Sequence, residues 1–338
     1  MRPLDTLPKA HLHLHFTGAM RHSTLVELAD RSGVSLPEAL RDPRPPTLSA
    51  ADERGWFRFQ RLYDTARSVL ETPEDVRRLL LEAAEDDRAE GSRWLEIQVD
   101  PSGYAAKFGG LTAFTELVLA AANDASRRAG VGVGVVIAAN RTRHPYDART
   151  LARLAAQYAD RGVVGFGLSN DERRGMASTF DRAFAIARRA GLLSTPHGGE
   201  LAGPQSVRAC LDALGATRIG HGVRAAEDPA LLQRIAEEGV TLEVCPSSNV
   251  ALGIYPDVES VPVRALLAAG VPIALGADDP LLFGSRLIAQ YALARDAYGA
   301  DDRVLAELAT TSLRASAAPA ALVDDAVRDV AAWLATPA

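Results

Sequence analysis

The stretch VVGFGLSNDERRGMASTFDRAFAIARRAGLLSTPHGGE, residues 163–200, decides how the rest of the chain is read. It opens on a short apolar run, VVGFGLS (163–169). A polar turn follows, then TFDRAFAIARRAG (179–191), with helical spacing and a closing glycine where a helix C-terminus commonly has one. A second short run, LLSTPHG (192–198), completes it. Strand, helix and strand joined by short connections make a parallel βαβ unit. Six more runs of the same kind lie outward from it: AHLHLHF (10–16), WLEIQVD (94–100), VGVGVVIAA (131–139), TRIGHG (217–222), TLEVCPS (241–247) and PIALGAD (272–278). Helical segments such as ARTLARLAAQYADRG (148–162) and PALLQRIAEEG (229–239) separate them. Eight such units predict a (β/α)8 TIM barrel. A doubly wound sheet is disfavoured because no Gly-rich phosphate loop follows the first strand.

One connection is abnormally long, with roughly 75 residues between the first two strands. It holds the proline-rich RDPRPPTLSA (41–50) and the aromatic WFRFQRLYDTA (56–66). Residues 40–75 are therefore expected to form a helical cap over the barrel mouth, since long βα loops in barrels carry function. Residues 300–338 read as helices packing outside, and the whole chain, 1–338, as one barrel domain. Its 338 residues are 47% hydrophobic and 24% charged, with a net charge of −6. That balance argues against a nucleic-acid partner or a polybasic membrane contact. No apolar run is long enough to span a bilayer, and MRPLDTLPKA has no signal-peptide core. Cys210 and Cys245 form no paired framework, so a cytoplasmic location is expected. The sequence leaves the oligomeric state open.

Polar residues at the C-terminal ends of barrel strands mark active sites. The first strand ends in His13 and His15, the fifth in His197 of HGGE with Glu200, the sixth in His221 of GHG, and the eighth in Asp278 and Asp279 of ADDP. In a strand, residues i and i+2 share a face, so His13 and His15 point together, and His11 with them. Two imidazoles from one strand, a third from the fifth and a carboxylate from the eighth compose a three-nitrogen, one-oxygen site. That donor set suits one zinc ion per chain with room for water. His11, one step earlier, reads as structural.

These stretches, with their order, resemble the adenosine deaminase family of metal-dependent amidohydrolase barrels. The matching segments are PKAHLHLHFTG, VVGFGLSNDE, HGGE, RIGHG, CPSSN and GADDPLLF, spread from about residue 8 to about residue 290. The resemblance implies zinc ligation by His13, His15, His197 and Asp278. It implies that Glu200 protonates purine N1, that His221 orients the attacking water and that Asp279 meets N7. The expected reaction is hydrolytic removal of the 6-amino group of a purine nucleoside, releasing ammonia. The chemistry is consistent with that: zinc lowers the pKa of water to about 7, and an acid protonating the ring makes C6 electrophilic.

Rival readings lose on residues. Lysine-bridged binuclear barrels need a lysine at the end of the fourth strand, and none follows Lys107. Zinc deaminases of the His-x-Glu, Pro-Cys-x-x-Cys type need paired cysteines. An inactive binding protein on the same fold would be expected to have lost Glu200, His221 or a ligand, and none is lost.

Three positions depart from the family pattern. Thr17 stands where an aspartate usually holds the ribose 5′-hydroxyl, Gln98 where an arginine is usual, and Asn170 where a glycine is usual. The changes point to a substrate altered at its 5′ end. The branch of the family most closely resembled deaminates 6-amino-6-deoxyfutalosine on a route to menaquinone, and that compound carries a 5′ aryl ketone with a carboxylate. Arg21 is then the expected carboxylate partner, and Trp56, Phe57 and Phe59 of the cap the expected contacts of the aryl group. Adenosine, deoxyadenosine, adenine and other modified purines are the alternative substrates.

Overall fold

The computed structural model describes residues 1–50 and 52–337. Eight parallel strands run in sequence order: β1 (Lys9–His15), β2 (Ser92–Val99), β3 (Gly132–Asn140), β4 (Val163–Ser169), β5 (Leu193–Gly198), β6 (Arg218–His221), β7 (Thr241–Val244) and β8 (Ile273–Leu275). Each pairs with the next. The ring closes where Leu14 bridges Asp278, with His15 N–H donating to the Asp278 carbonyl (2.9 Å) and Asp278 N–H to that of His13 (3.0 Å). The fold is the (β/α)8 barrel that the alternation predicts.

The helices that follow β2 to β7 are α5 (Leu111–Ala129), α6 (Pro145–Gln157), α7 (Asp181–Arg189), α8 (Pro204–Leu214), α9 (Pro229–Glu238) and, after a short α10 (Pro246–Ala251), α11 (Val263–Ala268). They bury apolar stripes against strands that are covered on both faces, as parallel sheets require. In the opening stretch, Ala183, Phe184 and Ala187 form the buried stripe of α7, and the Phe184 ring meets Phe166 of β4 edge-on at 5.0 Å. Truncating such a ring costs about 3–5 kcal/mol.

Between β1 and β2 lie α1 (His22–Ser32), α2 (Glu38–Arg41), α3 (Glu53–Ser68) and α4 (Pro73–Ala89). A capping box starts α4: Thr72 Oγ1 accepts from Asp75 N, and the Asp75 carboxylate accepts from Thr72 N at 2.9 Å. After β8 come α12 (Pro280–Phe283), α13 (Leu287–Asp296), α14 (Asp302–Ala315) and α15 (Ala320–Ala335).

The last three strands are shorter than their apolar runs. In the run 241–247 the strand ends at Val244; in 272–278 it ends at Leu275, with the isolated Asp278 bridge beyond it. Gly222 follows β6, and its Cα opens the turn with φ 72°. Among the described residues, three non-glycine residues have positive φ: Asn170 (79°), His221 (62°) and Asp278 (62°). All three line one cavity at the C-terminal mouth of the barrel. Left-handed backbone at non-glycine residues is costly and clusters where function demands a particular side-chain direction.

Candidate active site

β1 carries His15 into the cavity wall and His13 just beneath it, and His197 comes from the end of β5. Their donor atoms lie within 4.8 Å of one another. Asp278, turned inward by its positive φ, places Oδ1 3.2 Å from His15 Nε2 and 3.7 Å from His13 Nε2. His13 Nε2 is buried with no hydrogen-bond partner. An orphaned imidazole nitrogen facing two further imidazoles and a carboxylate fits a single divalent cation. The electrostatics agree. Burial, reinforced by the neighbouring imidazoles, pushes His197 well below the ordinary histidine pKa, leaving a neutral donor. Burial would raise Asp278, but the hydrogen bond from His15 and the charges of His221, His15 and His13 hold it well below the usual range. Burial opposes charge on His15, yet Asp279 and Asp278 outweigh it and lift its pKa to about 9. The site draws positive charge.

His11 points elsewhere. The pairing of β1 with β2 slips by one residue between His11 and Leu14, so the strict alternation expected of the three histidines fails. His11 Nδ1 bonds Asp87 of α4 at 2.9 Å, and its Nε2 accepts from Ala277 N at 3.1 Å.

The ligand candidates are held from behind. His13 Nδ1 bonds Glu243 Oε2 of β7 at 2.8 Å, which fixes the tautomer and turns Nε2 toward the cluster. Burial would raise Glu243, but Arg218 holds its pKa below the usual value, with Arg218 Nε donating to Oε1 at 2.6 Å. Arg218 also bonds Glu96, which accepts from Trp94 Nε1 (2.9 Å) and Ala317 N (2.7 Å). The Ser248 hydroxyl donates to Asp278 Oδ2 at 2.6 Å. Glu243→Gln is therefore expected to weaken metal affinity about 10–100-fold, read by chelator competition. It should also lower Tm, because Arg218 loses a buried partner. Unchanged metal affinity would remove Glu243 from the site.

Glu200 and Asp279 complete the inner wall. Both are pushed well above the ordinary carboxylate range, by burial first and then by the charge of Asp278. Burial thus favours the protonated form of each. Asp279 Oδ1 is buried without a partner. It passes so close to the 3-10 turn after β1 that a Cβ at Gly18 would lie 1.9 Å from it, which is why that turn carries glycine. His221 Nε2 lies 3.7 Å from Glu200 Oε1 and 4.0 Å from Asp278 Oδ2. Burial and the other imidazoles lower its pKa to about 3, so the ring is neutral.

The outer wall comes from α3 and the loops after β2 to β4. Phe59 lines the cavity, stacked on Phe283 at 5.8 Å and beside Trp56 at 5.1 Å. Phe57 is exposed and outside the lining. Asn170 Nδ2 donates to Gln60 Oε1 (3.0 Å), and its Oδ1 accepts from Trp56 Nε1 (3.4 Å), so its side chain grips α3. Its φ of 79° keeps the backbone conformation a glycine would supply, which asparagine tolerates better than most residues. Gln98 lies with Oε1 3.3 Å from His197 Nε2 and its amide nitrogen buried and unpaired. Thr17 is wholly buried just behind the wall, its hydroxyl 2.5 Å from that of Tyr104.

Arg21 corrects an expectation. It is not among the cavity-lining residues, and its guanidinium is held by Asp86 (2.6 Å) and Glu85 (3.4 Å). As the N-cap of α1 it points across to α4 rather than inward. The arginine that lines the cavity is Arg67 of α3, anchored by Asp64 at 2.5 Å. Sequence reasoning missed Glu243, Arg218, Arg67 and Tyr104. The first two carried a signal, a charged residue inside an apolar strand run (TLEVCPS, TRIGHG) that must find a buried partner.

Known proteins give an independent comparison. A family model described as adenosine deaminase matches residues 8–333. A Streptomyces virginiae protein provisionally named adenosine/adenine deaminase is 67% identical over 94% of both chains. The solved structure of adenine deaminase from Arthrobacter aurescens superposes with a TM-score of 0.89 at 29% identity, covering 97% of this chain and 99% of that one. An amidohydrolase solved with bound Zn gives 0.84 at 27% identity, covering 98% of this chain and 91% of that one. The fold, the mouth-end cluster of donors and these matches together place the chain in the adenosine deaminase family, as a hydrolytic deaminase.

Proposed function

We propose that the chain hydrolyses the 6-amino group of a 6-aminopurine, with adenine and adenosine as its substrates. The observation that carries the reading is a pair of buried carboxyls, Glu200 and Asp279, lining one cavity beside three clustered imidazoles and the Asp278 carboxylate. His13, His15, His197 and Asp278 would hold one zinc, which when bound supplies an activated water near neutral pH. His221, neutral and close to both Glu200 and Asp278, orients that water toward C6. Glu200 donates its proton to ring N1 as the C6–O bond forms, so charge does not accumulate on the ring. The proton that the water gives up on attack would be accepted by His221 and passed to the amino nitrogen; as the C6–N bond breaks and C6–OH becomes a carbonyl, the hydroxyl proton returns to Glu200 and neutral ammonia leaves. Asp279 donates to N7 and sets the base in register.

The group on N9 faces the wall formed by Tyr63, Arg67, Asp100 and Tyr104. Thr17, already bonded to Tyr104, offers no charge to a free 5′-hydroxyl. The reading with 6-amino-6-deoxyfutalosine lost its carboxylate partner when Arg21 proved to be held by Asp86. It stays as the second reading because Arg67 lies in the wall. The names of the relatives favour adenine and adenosine.

Steady-state assays of adenine, adenosine, 5′-deoxyadenosine and 6-amino-6-deoxyfutalosine on one purified sample decide between them. Adenine or adenosine is expected to exceed the futalosine compound in kcat/KM by at least about tenfold, or about 1.4 kcal/mol of transition-state binding. Arg21→Ala is expected to leave every value unchanged. A tenfold preference for the futalosine compound, lost in Arg67→Ala, would establish the second reading instead.

A further inference from the structure

The loop that carries Glu200, residues 199–202, follows β5 as a tight turn, with Gly199 at φ 74°. Directly behind it sits Glu172, buried, at the start of a 3-10 turn after β4. Glu172 Oε1 accepts from Gly199 N (2.5 Å), and Oε2 from the N–H groups of Glu200 (2.9 Å), Leu201 (2.7 Å) and Ala202 (2.9 Å). The Ser206 hydroxyl also donates to Oε1. Cations hold carbonyls on either side: Arg141 Nη2 donates to that of His197, in β5 before the loop, at 2.5 Å, and Arg224 Nη1 to that of Leu201, within it, at 3.0 Å.

Four successive N–H groups converging on one carboxylate form an anion nest of the kind that binds phosphate elsewhere. Here the chain supplies its own anion. Charge-assisted bonds are the strong ones, so the backbone of 199–202 is wrapped around Glu172 in one conformation. Glu172 is absent from the cavity lining, while the Glu200 side chain is directed into the cavity.

We propose that Glu172 is the positioning residue for Glu200, an internal anionic anchor that folds the loop so that the acid faces the purine ring. The inference rests on the acid role assigned to Glu200 above. The Glu172 charge also stands, after burial and Asp278, among the causes that raise the Glu200 pKa.

Glu172→Gln leaves one acceptor oxygen and turns an amide N–H2 against backbone donors. It is expected to lower kcat about 30-fold or more, with KM for adenine or adenosine within about threefold and metal content unchanged, the pattern of a misplaced catalytic group. If Glu172 works through Glu200, the pair is non-additive: Glu172→Gln in a Glu200→Gln background should cost no more than about twofold further. Should Glu172→Gln fold poorly, Ser206→Ala, which deletes one of the five contacts, carries the same comparison, with about a threefold fall in kcat that vanishes in the Glu200→Gln background. An unchanged kcat per folded, metal-loaded protein, or losses that multiply in the double variant, would overturn the proposal. A wild type that deaminates none of the four compounds, or a Glu200→Gln protein with the wild-type rate, would instead defeat the reading on which it rests.

Discussion

Glu200→Gln is expected to lower kcat by about 10²-fold or more, the scale of a positioned general acid, while fold and metal content stay as they are. The side chain is buried, and burial followed by the charge of Asp278 pushes its pKa well above the usual carboxylate range. Glutamine keeps the shape of the protonated acid and adds no charge to the cavity. The loop is held through its backbone N–H groups by Glu172, so the substitution breaks none of those contacts. What is lost is a transferable proton 3.7 Å from His221. Elemental analysis and a melting curve alongside the rate separate this loss from unfolding. Near-normal turnover in a metal-loaded protein would take Glu200 out of the mechanism.

Loss of the metal is expected to be costlier still. Asp278→Ala removes the carboxylate that lies against His13 and His15 and leaves the Ser248 hydroxyl without its acceptor. Activity should fall on the order of 10³-fold or more, above the 10–100-fold that the residues supporting a ligand command. Chelation of the wild type should do the same, reversibly on adding zinc. Protein purified without added metal should hold close to one equivalent of transition metal, since the donors gather around one point and no lysine follows Lys107 to bridge a second ion. Two equivalents, with activity following the second, would contradict the single-ion site.

Much of this was legible before any coordinates. The barrel followed from runs such as VVGFGLS and TLEVCPS alternating with amphipathic helices, because a parallel sheet must be covered on both faces and its strands are uniformly apolar. Against that background a histidine or aspartate at a strand end stands out. His13, His15, His197, His221, Asp278 and Glu200 stand out that way; the fold brings five of them into the lining of one cavity and sets His13 against His15 and His197.

The errors were in direction rather than in identity. His11 was expected on the face of His13, and a one-residue slip in the β1 register turns it to Asp87 on α4. Arg21 was expected in the cavity, and Asp86, 65 residues on, holds it outside. Arg67, which the sequence does not single out, lines the wall.

The sequence by itself determined the barrel and the candidate donor set, because both depend on residue type and local period: three imidazoles and a carboxylate suit zinc wherever they meet. Only the tertiary structure decided how those groups are aimed. His13 is oriented by Glu243, 230 residues away, Arg218 meets Glu96 across 122, and the Glu200 loop closes on a carboxylate 28 residues earlier. Such partners are chosen by barrel closure and by the rule that a buried polar group must be satisfied by whatever the fold brings near, and neither leaves a mark in local periodicity.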